Sequence, residues 1–437
     1  MNNTAIIVKI ENLRPVPNAD NIIQGTVLGY YNVIVSKNTL NNTIGIYFDC
    51  GLVLSEEYCK ENNLYRNSSL NKDINKSGYI EENRRIKAMK FKGVRSDGLF
   101  MDISTLDYIQ KEINLKEGSE FTELNGRLVC EKYITKKTRE KGQKNKTKNK
   151  NENKFKISKD VFPEHFDTEY LIKHVHEIPD NVKLIITAKI HGSSGRFSLT
   201  KIGVKPSKFK YYLGSILNKF GLYLDFSEYK EVVGSRRVVK TNNLTSQSFY
   251  KTDIWQKAFD KYFKGKLRKN EMIYCEIVGY ESEDSPLMGT YSVDKIGKEY
   301  VKQYGKQMIF SYKCSPGEFD VYVYRISLLN LDGYQYDYSW EDVKRRCNEI
   351  GVKYVPEIAV LNSKDFFEDK RKLVDYIDSL CDKPSIIDNR HLEEGFCVRV
   401  EDNLSDLKIY KHKGFLYKVL EGIIKENPDF VDIEESN

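Results

Sequence analysis

The chain of 437 residues contains no run of about 18 apolar residues, which excludes a membrane-spanning helix. Its first residues, MNNTAIIVKIENLRPVP, lack the basic start, apolar stretch and small-residue cleavage site of a secretory signal. A cytoplasmic protein with no membrane partner is therefore expected. Eight cysteines, at 50, 59, 130, 275, 314, 347, 381 and 397, form no CxxC pair. That spacing argues against both a zinc site and a disulfide framework, and for free thiols in a reducing compartment. Histidine is also scarce, with six in all. Only His174 and His176 approach metal-ligand spacing, and they read as part of an exposed helix.

A charge excess is missing from most of the sequence. The formal net charge is +7, yet residues 136–156, KKTREKGQKNKTKNKNENKFK, hold ten Lys/Arg against two Glu. The rest of the chain is close to neutral. No aromatic or branched apolar residue lies between Thr138 and Lys154, so this stretch cannot bury enough surface to fold. It reads as a flexible linker. A loose electrostatic hold on a polyanion and a plain solvated tether are both open.

What is present divides around that linker. Residues 1–135 open with strand-like runs, TAIIVKIENL, GTVLGYYNVIVSK and TIGIYFD, separated by the turn signals PNAD and LNNT. Short strands at regular spacing suggest a small barrel or sandwich, and the length fits an OB-type β-barrel. Within it, residues 78–102 concentrate Arg84, Arg85, Lys87, Lys90, Lys92 and Arg95 around Met89 and Phe91. A basic, partly apolar loop on a small barrel is suited to RNA, although a solvated hairpin would look the same. Residues 157–437 mix helical runs with strand runs in an α+β pattern of antiparallel sheets flanked by helices.

That second region carries the candidate chemistry. K-x-x-G alone is weak, because the chain has four: KFKG from Lys90, KIHG from Lys189, KQYG from Lys302 and KHKG from Lys411. Lys189 is singled out by the order of the segments downstream of it. VGSRRVVK offers Arg236 and Arg237. IYCEIVGY places Glu276 inside an apolar strand. FDVYVYRISLL puts Tyr322 and Tyr324 on one strand face by alternation. LEEGFCVRV sets Glu394 ahead of a glycine and a strand, and LKIYKHKG puts Lys411 and Lys413 on one face. Taken singly, each has a structural reading as core, ion pair or edge charge.

Together this ordered set resembles the covalent nucleotidyltransferase superfamily, with motifs K-x-x-G, S-R, E, an aromatic, E-G and K-x-K. KIHG and the upstream FPEHFDTEYL (162–171) are similar to RNA ligase 2-type enzymes. PNADNI (17–22) and residues 78–99 resemble the OB domain that precedes the catalytic domain in a two-domain RNA ligase family. The resemblance implies an ATP-dependent RNA ligase, monomeric, joining 3′-hydroxyl and 5′-phosphate ends, with nicked duplex RNA as substrate. It further implies that Lys189 takes AMP from ATP. Ile190, Gly192 and Arg236 join the nucleotide site, with Arg237 as an alternative to Arg236. Glu276 and Glu394 hold Mg²⁺ or Mn²⁺, Tyr324 stacks on adenine, and Lys411 and Lys413 bind the α-phosphate. Two positions depart from relatives: His191 replaces an acid of K-x-D-G, and Arg325 follows the aromatic where Asp is usual.

A lysine amine has a pKa near ~10.4, so the attack on phosphorus requires that value to fall. Burial and the neighbouring cations are expected to depress it. Two relatives, DNA ligases and capping guanylyltransferases, share the motifs but carry their OB domain after the catalytic one. Only 24 residues follow Lys413, and the OB-like region comes first, which favours RNA ligase. A non-catalytic RNA- or tRNA-binding protein is the alternative of a different class.

Overall fold

Alternation of apolar residues builds the first sheet. The computed structural model describes residues 4–109, 115–134, 157–204, 207–240, 253–294, 296–330 and 333–424. The Lys-rich segment 136–156 lies outside the described residues. Strands β1 (Ala5–Pro15), β2 (Ile22–Val27), β3 (Tyr31–Ser36) and β4 (Ile44–Asp49) are followed by a small hairpin, β5 (Met89–Phe91) and β6 (Val94–Ser96), and by β7 (Gly98–Asp102). The sheet order is β3-β2-β1-β4-β7, with Glu120–Phe121 added on β1. β1 serves both sides: its first half pairs with β4 and its second half with β2, across a register shift between Glu11 and Arg14. Such a bulge bends the strand. The sheet curls until the Asp97 N–H, just ahead of β7, donates to the Asn32 carbonyl of β3 at 2.7 Å. The result is a nearly closed, barrel-like sheet.

Two further large sheets follow, beside several two-stranded ones. The first has the order Glu169–Tyr170, β15 (Lys408–Lys413), β14 (Gly395–Glu401), β8 (Lys183–Ala188), β13 (Glu357–Asn362). The second contains β10 (Ser227–Ser235), β9 (Ser193–Gly203), β11 (Glu271–Ser282) and β12 (Phe319–Leu329) in that order, with short strands at both margins. The run KLIITA explains why β8 is central. Ile185 enters one buried cluster while Leu184 and Ile186 enter another, because successive strand side chains point to opposite faces. β8 is thus buried on both sides. The chain then leaves the first sheet at Ala188 and enters the second at Ser193, so the KIHG turn is the crossing between them.

The second of those clusters is shared with the N-terminal sheet. Val8, Ile10, Val33 and Tyr47 pack in one continuous buried group with Leu171, Leu184, Val374 and Val398. Helix α1 (Lys208–Asn218) has only Gly214 buried, whereas α2 (Ile254–Tyr262), α3 (Trp340–Ile350), α4 (Arg371–Leu380) and α5 (Phe415–Ile424) close outer faces. α3 shows why its sequence is helical. Ser339 caps its start by accepting from the Asp342 N–H, Gly351 ends it in the left-handed region, and Trp340, Val343, Cys347 and Ile350 form its buried stripe. No helix among the described residues is long and apolar enough to cross a membrane. All eight cysteines are free.

α3 is clamped to β11 by one buried ion pair. Arg346 Nε and Nη2 donate to the two Glu271 carboxylate oxygens at 2.7 and 2.9 Å, with side chains 7% and 0% exposed. Arg346→Met leaves Glu271 buried without its counter-charge. It is expected to cost about 3–5 kcal/mol of stability, read as a lower denaturant midpoint. An unchanged midpoint would show that Glu271 is satisfied elsewhere.

Candidate active site

The KIHG turn is fixed at both ends. The Lys189 N–H donates to the Gly395 carbonyl at 2.9 Å, which ties KIHG to the E-G motif. Ile190 is buried in the core. Gly192 is required by close approach: a Cβ there would lie 2.4 Å from the Ile277 carbonyl oxygen and 2.8 Å from Glu276 Cγ. The turn therefore lies directly against β11 at its carboxylate. The His191 N–H donates to the Tyr312 hydroxyl at 2.6 Å, and the imidazole is held by the Tyr291 and Tyr417 hydroxyls. His191 is thus spent on an aromatic cage, with Nδ1 3.7 Å from Glu394 Oε2.

Glu394 is the centre of the charge cluster. It precedes β14 at Gly395, where φ is +152° and a Cβ would lie 2.1 Å from the His412 carbonyl oxygen, so only glycine fits. The Glu394 side chain is 2% exposed. Its Oε1 sits 2.7 Å from Lys189 Nζ and 3.6 Å from Lys413 Nζ. Its Oε2 is buried and accepts no hydrogen bond from the described residues. Lys413 is paired with Glu421 of α5 at 2.9 Å, and Lys411 lies over the Tyr170 ring at 4.7 Å.

The three lysines titrate differently, against the expectation for Lys189. Burial pulls the Lys189 amine down, but the Glu394 carboxylate outweighs it and holds the pKa above its ordinary value. Burial also opposes the charge on Lys413, and Glu421 with Glu394 raises it well above. At Lys411 nothing offsets burial. Desolvation, then the charges of Lys413, Lys189 and Arg236, lower it to about 8. The depressed amine is therefore Lys411, while Lys189 is stored as an ammonium on Glu394.

The second sheet brings its residues to the same edge. Glu276 on β11 is opposite Ser194 of β9 and Tyr322 of β12. Its carboxylate acts electrostatically on Tyr324 and on Cys397 of β14, so it faces the gap between the sheets. Tyr324 is the extra residue of a register shift between β11 and β12, where Tyr274 faces Arg325 and Cys275 faces Val323. The bulge breaks the simple alternation expected for the two tyrosines. Tyr322 packs on Tyr312, whereas the Tyr324 hydroxyl meets Ser194 Oγ at 3.1 Å and its ring meets His165 edge-on at 5.1 Å. Arg325, in the place of the usual Asp, is buried. It forms a two-point ion pair with Asp337 and stacks over Phe166 and Tyr274. Arg236 follows β10 and pairs with Asp167. Arg236, Arg237, Lys159, His165 and Phe166 line a cavity of about 710 Å³ beside it.

The six basic residues of the N-terminal region do not form one surface. Arg95 donates to Asp97 and to the Tyr30 hydroxyl, lies 3.4 Å from Asp378, and stacks on Phe415. Burial opposes its charge, but Asp97, Tyr30 and Asp378 raise its pKa. Arg85 is 6% exposed and donates to the Gly422 carbonyl of α5. Both are structural ties to the second half of the chain. Arg84 pairs with Glu56 at 3.6 Å and Lys87 with Glu81 at 3.0 Å. Lys90 approaches the Tyr300 ring, and Lys92 donates to the Asn18 carbonyl. Lys90, Phe91 and Lys92 form the exposed tip of the β5–β6 hairpin.

Several site residues carry no motif signal. Ser194, Tyr417 and Glu421 reach the site only through folding. Tyr170 and Asp167 lie within FPEHFDTEYL, which marks the segment but not its contacts. Beyond the site, Tyr30 donates to Asp378, which also meets His412 Nε2 at 3.1 Å, and Lys418 pairs with Asp97 at 2.8 Å. His412 lies between Lys411 and Lys413, so this network joins the N-terminal sheet to the lysine strand.

A family model for RNA ligase matches residues 182–419. No curated protein matches the chain. Solved structures of a Naegleria gruberi RNA ligase have the same fold. A variant of it with ATP and Mn is 15% identical, covering 96% of this chain and 98% of that one, with a TM-score of 0.55. A variant with AMP and Mn is 15% identical over 95% and 97%, TM-score 0.56. The same ligase with PPi is 16% identical over 98% and 100%, TM-score 0.56.

The depressed Lys411 makes a stability test possible. Its folded-state pKa of about 8 lies below the ordinary 10.5, so the folded protein binds fewer protons than the unfolded chain between those values. The penalty is complete below pH 8 and is relieved as pH rises toward 10.5. Lys411→Met is expected to raise stability at pH 7 by on the order of 1–3 kcal/mol. The gain should shrink as pH rises through that window. Unfolding midpoints across pH check it; a variant less stable at pH 7 would contradict it.

Proposed function

The chain belongs to the RNA ligase family, and from that membership we propose that it seals RNA 3′-hydroxyl to 5′-phosphate ends, in nicked duplex, using ATP. The proposed organisation is an OB-type RNA-binding domain at 1–135, a linker at 136–156 and a nucleotidyltransferase domain at 157–437. The observation that carries the reading is the single edge where Lys189, Glu394, Lys413, Lys411 and Glu276 converge from two sheets. The Naegleria gruberi relatives hold ATP, AMP, PPi and Mn, which supports ATP and a divalent cation as the small-molecule requirements.

The residues fit such a cation. Glu394 offers a buried oxygen that no described donor occupies, and Glu276 offers a second carboxylate from the neighbouring sheet. Hard oxygen donors of this kind suit Mg²⁺ or Mn²⁺. Held by Glu394 and Glu276, a cation would supply positive charge to the α-phosphate.

In the first step Lys189 Nζ attacks the α-phosphorus; the N–P bond forms, the bond to the β-phosphate oxygen breaks and pyrophosphate leaves. The Lys189 ammonium must give up one proton before attack and a second on forming the phosphoramidate. Loss of its ion pair with Glu394 removes the cause of its raised pKa, leaving burial and the Lys413 charge, both of which favour the neutral amine. Lys411 and Lys413 hold the α-phosphate oxygens, and Arg236, released from Asp167, takes a second phosphate. Tyr324 stacks on adenine, with Ile190 and Gly192 shaping the floor of the nucleotide site. An RNA 5′-phosphate then attacks the lysyl-AMP phosphorus and frees Lys189. A 3′-hydroxyl finally attacks the adenylylated end and expels AMP.

RNA contact is assigned to the hairpin tip, where Lys90 and Lys92 flank an exposed Phe91. Arg85 and Arg95 are committed inside the protein, and Arg84 and Lys87 already have carboxylate partners.

Incubation with ATP labelled at the α-phosphate is expected to give a denaturation-resistant labelled protein, absent from Lys189→Ala. A labelled Lys189→Ala protein would overturn the assignment of the nucleophile. Glu276→Ala, Glu394→Ala and Lys413→Ala should each fail to seal nicked RNA. Separately, Lys90→Glu with Lys92→Glu should weaken RNA binding and reduce its salt slope by about 1 for each phosphate no longer held. An unchanged slope would remove the hairpin from the RNA surface.

A further inference from the structure

The most exposed apolar surface among the described residues belongs to α1, and it is turned the wrong way for a core helix. At about 100° per residue, Phe209, Tyr212, Leu213, Ile216 and Leu217 share one arc. Phe209 is 76% and Tyr212 68% exposed, and Leu213 and Ile216 are exposed as well. The buried residue of α1 is Gly214, on the other side. A Cβ at Gly214 would lie 2.7 Å from the Phe226 ring. The helix thus rests on its own hairpin through the glycine and presents its apolar arc to water, the reverse of a normal surface helix. Phe220 and Tyr223, just beyond it, are 76% and 83% exposed. An 11-residue helix is marginal in isolation, so a face of this kind requires an occupant.

Charge selects the occupant. Residues 204–224 contain four lysines and no Asp or Glu. Lys208, Lys210 and Lys219 are all exposed beside the apolar arc. The occupant must therefore offer negative charge at its surface and apolar volume beneath. RNA meets the first condition and can stack on the rings of Phe209, Tyr212, Phe220 and Tyr223, but it offers no apolar volume to the exposed Leu213, Ile216 and Leu222. A second copy of the chain would bring the same positive charge. An anionic lipid surface meets both, with headgroups for the lysines, acyl chains for the arc and the interfacial layer for the tyrosines. We propose that α1 and the segment after it dock the protein on an anionic membrane surface, without crossing it.

The position leaves the active site free. β9 and β10 run from Gly195 opposite Ser235, near Tyr324, to Gly203 opposite Ser227, beside α1. At ~3.4 Å per residue that is about 27 Å of separation. Docking of α1 would hold the catalytic edge away from the bilayer.

The test is co-sedimentation of the full chain with vesicles of phosphatidylcholine alone or mixed with phosphatidylserine. Binding is expected only with phosphatidylserine, weakening as salt rises. Phe209→Asp with Ile216→Asp should reduce it at least about tenfold, and so should Lys208→Glu with Lys210→Glu. Unchanged unfolding midpoints would show that the variants are folded. Because lipid binding is read directly, the result does not depend on the assigned ligase activity. No vesicle binding, or binding by both variants equal to that of the parent chain, overturns the proposal. So does loss of RNA affinity in place of lipid affinity, which assigns the face to RNA. A concentration-dependent rise in sedimentation coefficient abolished by the same variants assigns it to a second copy and likewise overturns it.

Discussion

The Glu394 carboxylate, 2.7 Å from the Lys189 ammonium and 3.6 Å from Lys413, is buried with one oxygen that accepts no hydrogen bond from the described residues. Taking a carboxylate and two ammonium groups from water is costly unless each is compensated. Here the compensation is shared: Lys413 leans on Glu421 as well, while at Lys411 burial and the surrounding cations weaken the charged form and lower the pKa to about 8. A cation entering at Glu394 would rearrange every one of these balances. The resting site is in this sense a set of charges poised against one another.

The backbone makes that arrangement possible. KIHG crosses from one sheet to the other, and E-G and K-x-K are neighbours in the first of them. Two glycines permit the approach: Gly192 against the Ile277 carbonyl, Gly395 against that of His412. The Lys189 N–H to Gly395 carbonyl bond then locks together two motifs far apart in the chain. The N-terminal sheet takes part as well, because Arg95, Tyr30 and Asp97 reach Asp378, His412 and Lys418 beside the lysine strand.

Much of this is legible in the sequence, and the failures have physical causes. KLIITA reads as a buried strand and is one, since an uninterrupted apolar run fits a strand covered on both faces. K-x-x-G, E-G and K-x-K identify residues that converge because each sits at a strand end or along a strand. The basic stretch around residue 90 is harder. Counting charges does not reveal that Asp97 and Asp378 meet Arg95, or that the Gly422 carbonyl meets Arg85. Nor does spacing show that Lys189 starts on a carboxylate and so has a raised pKa. Tyr324 stands out in its motif, but the bulge that separates its surroundings from those of Tyr322 depends on the register of β11 and β12. α1 gives no warning of its exposed arc, because an amphipathic pattern does not say which side faces the body.

The buried group that unites Val8, Ile10 and Tyr47 with Leu171, Leu184 and Val398 has one more consequence. A chain divided at residue 157 would expose both halves of that group to water. Neither piece would inherit a finished interior, whatever the composition of the tether between them. The barrel-like sheet is then less an accessory clipped to an enzyme than a wall of the same room, and heat should bring down both in a single cooperative transition.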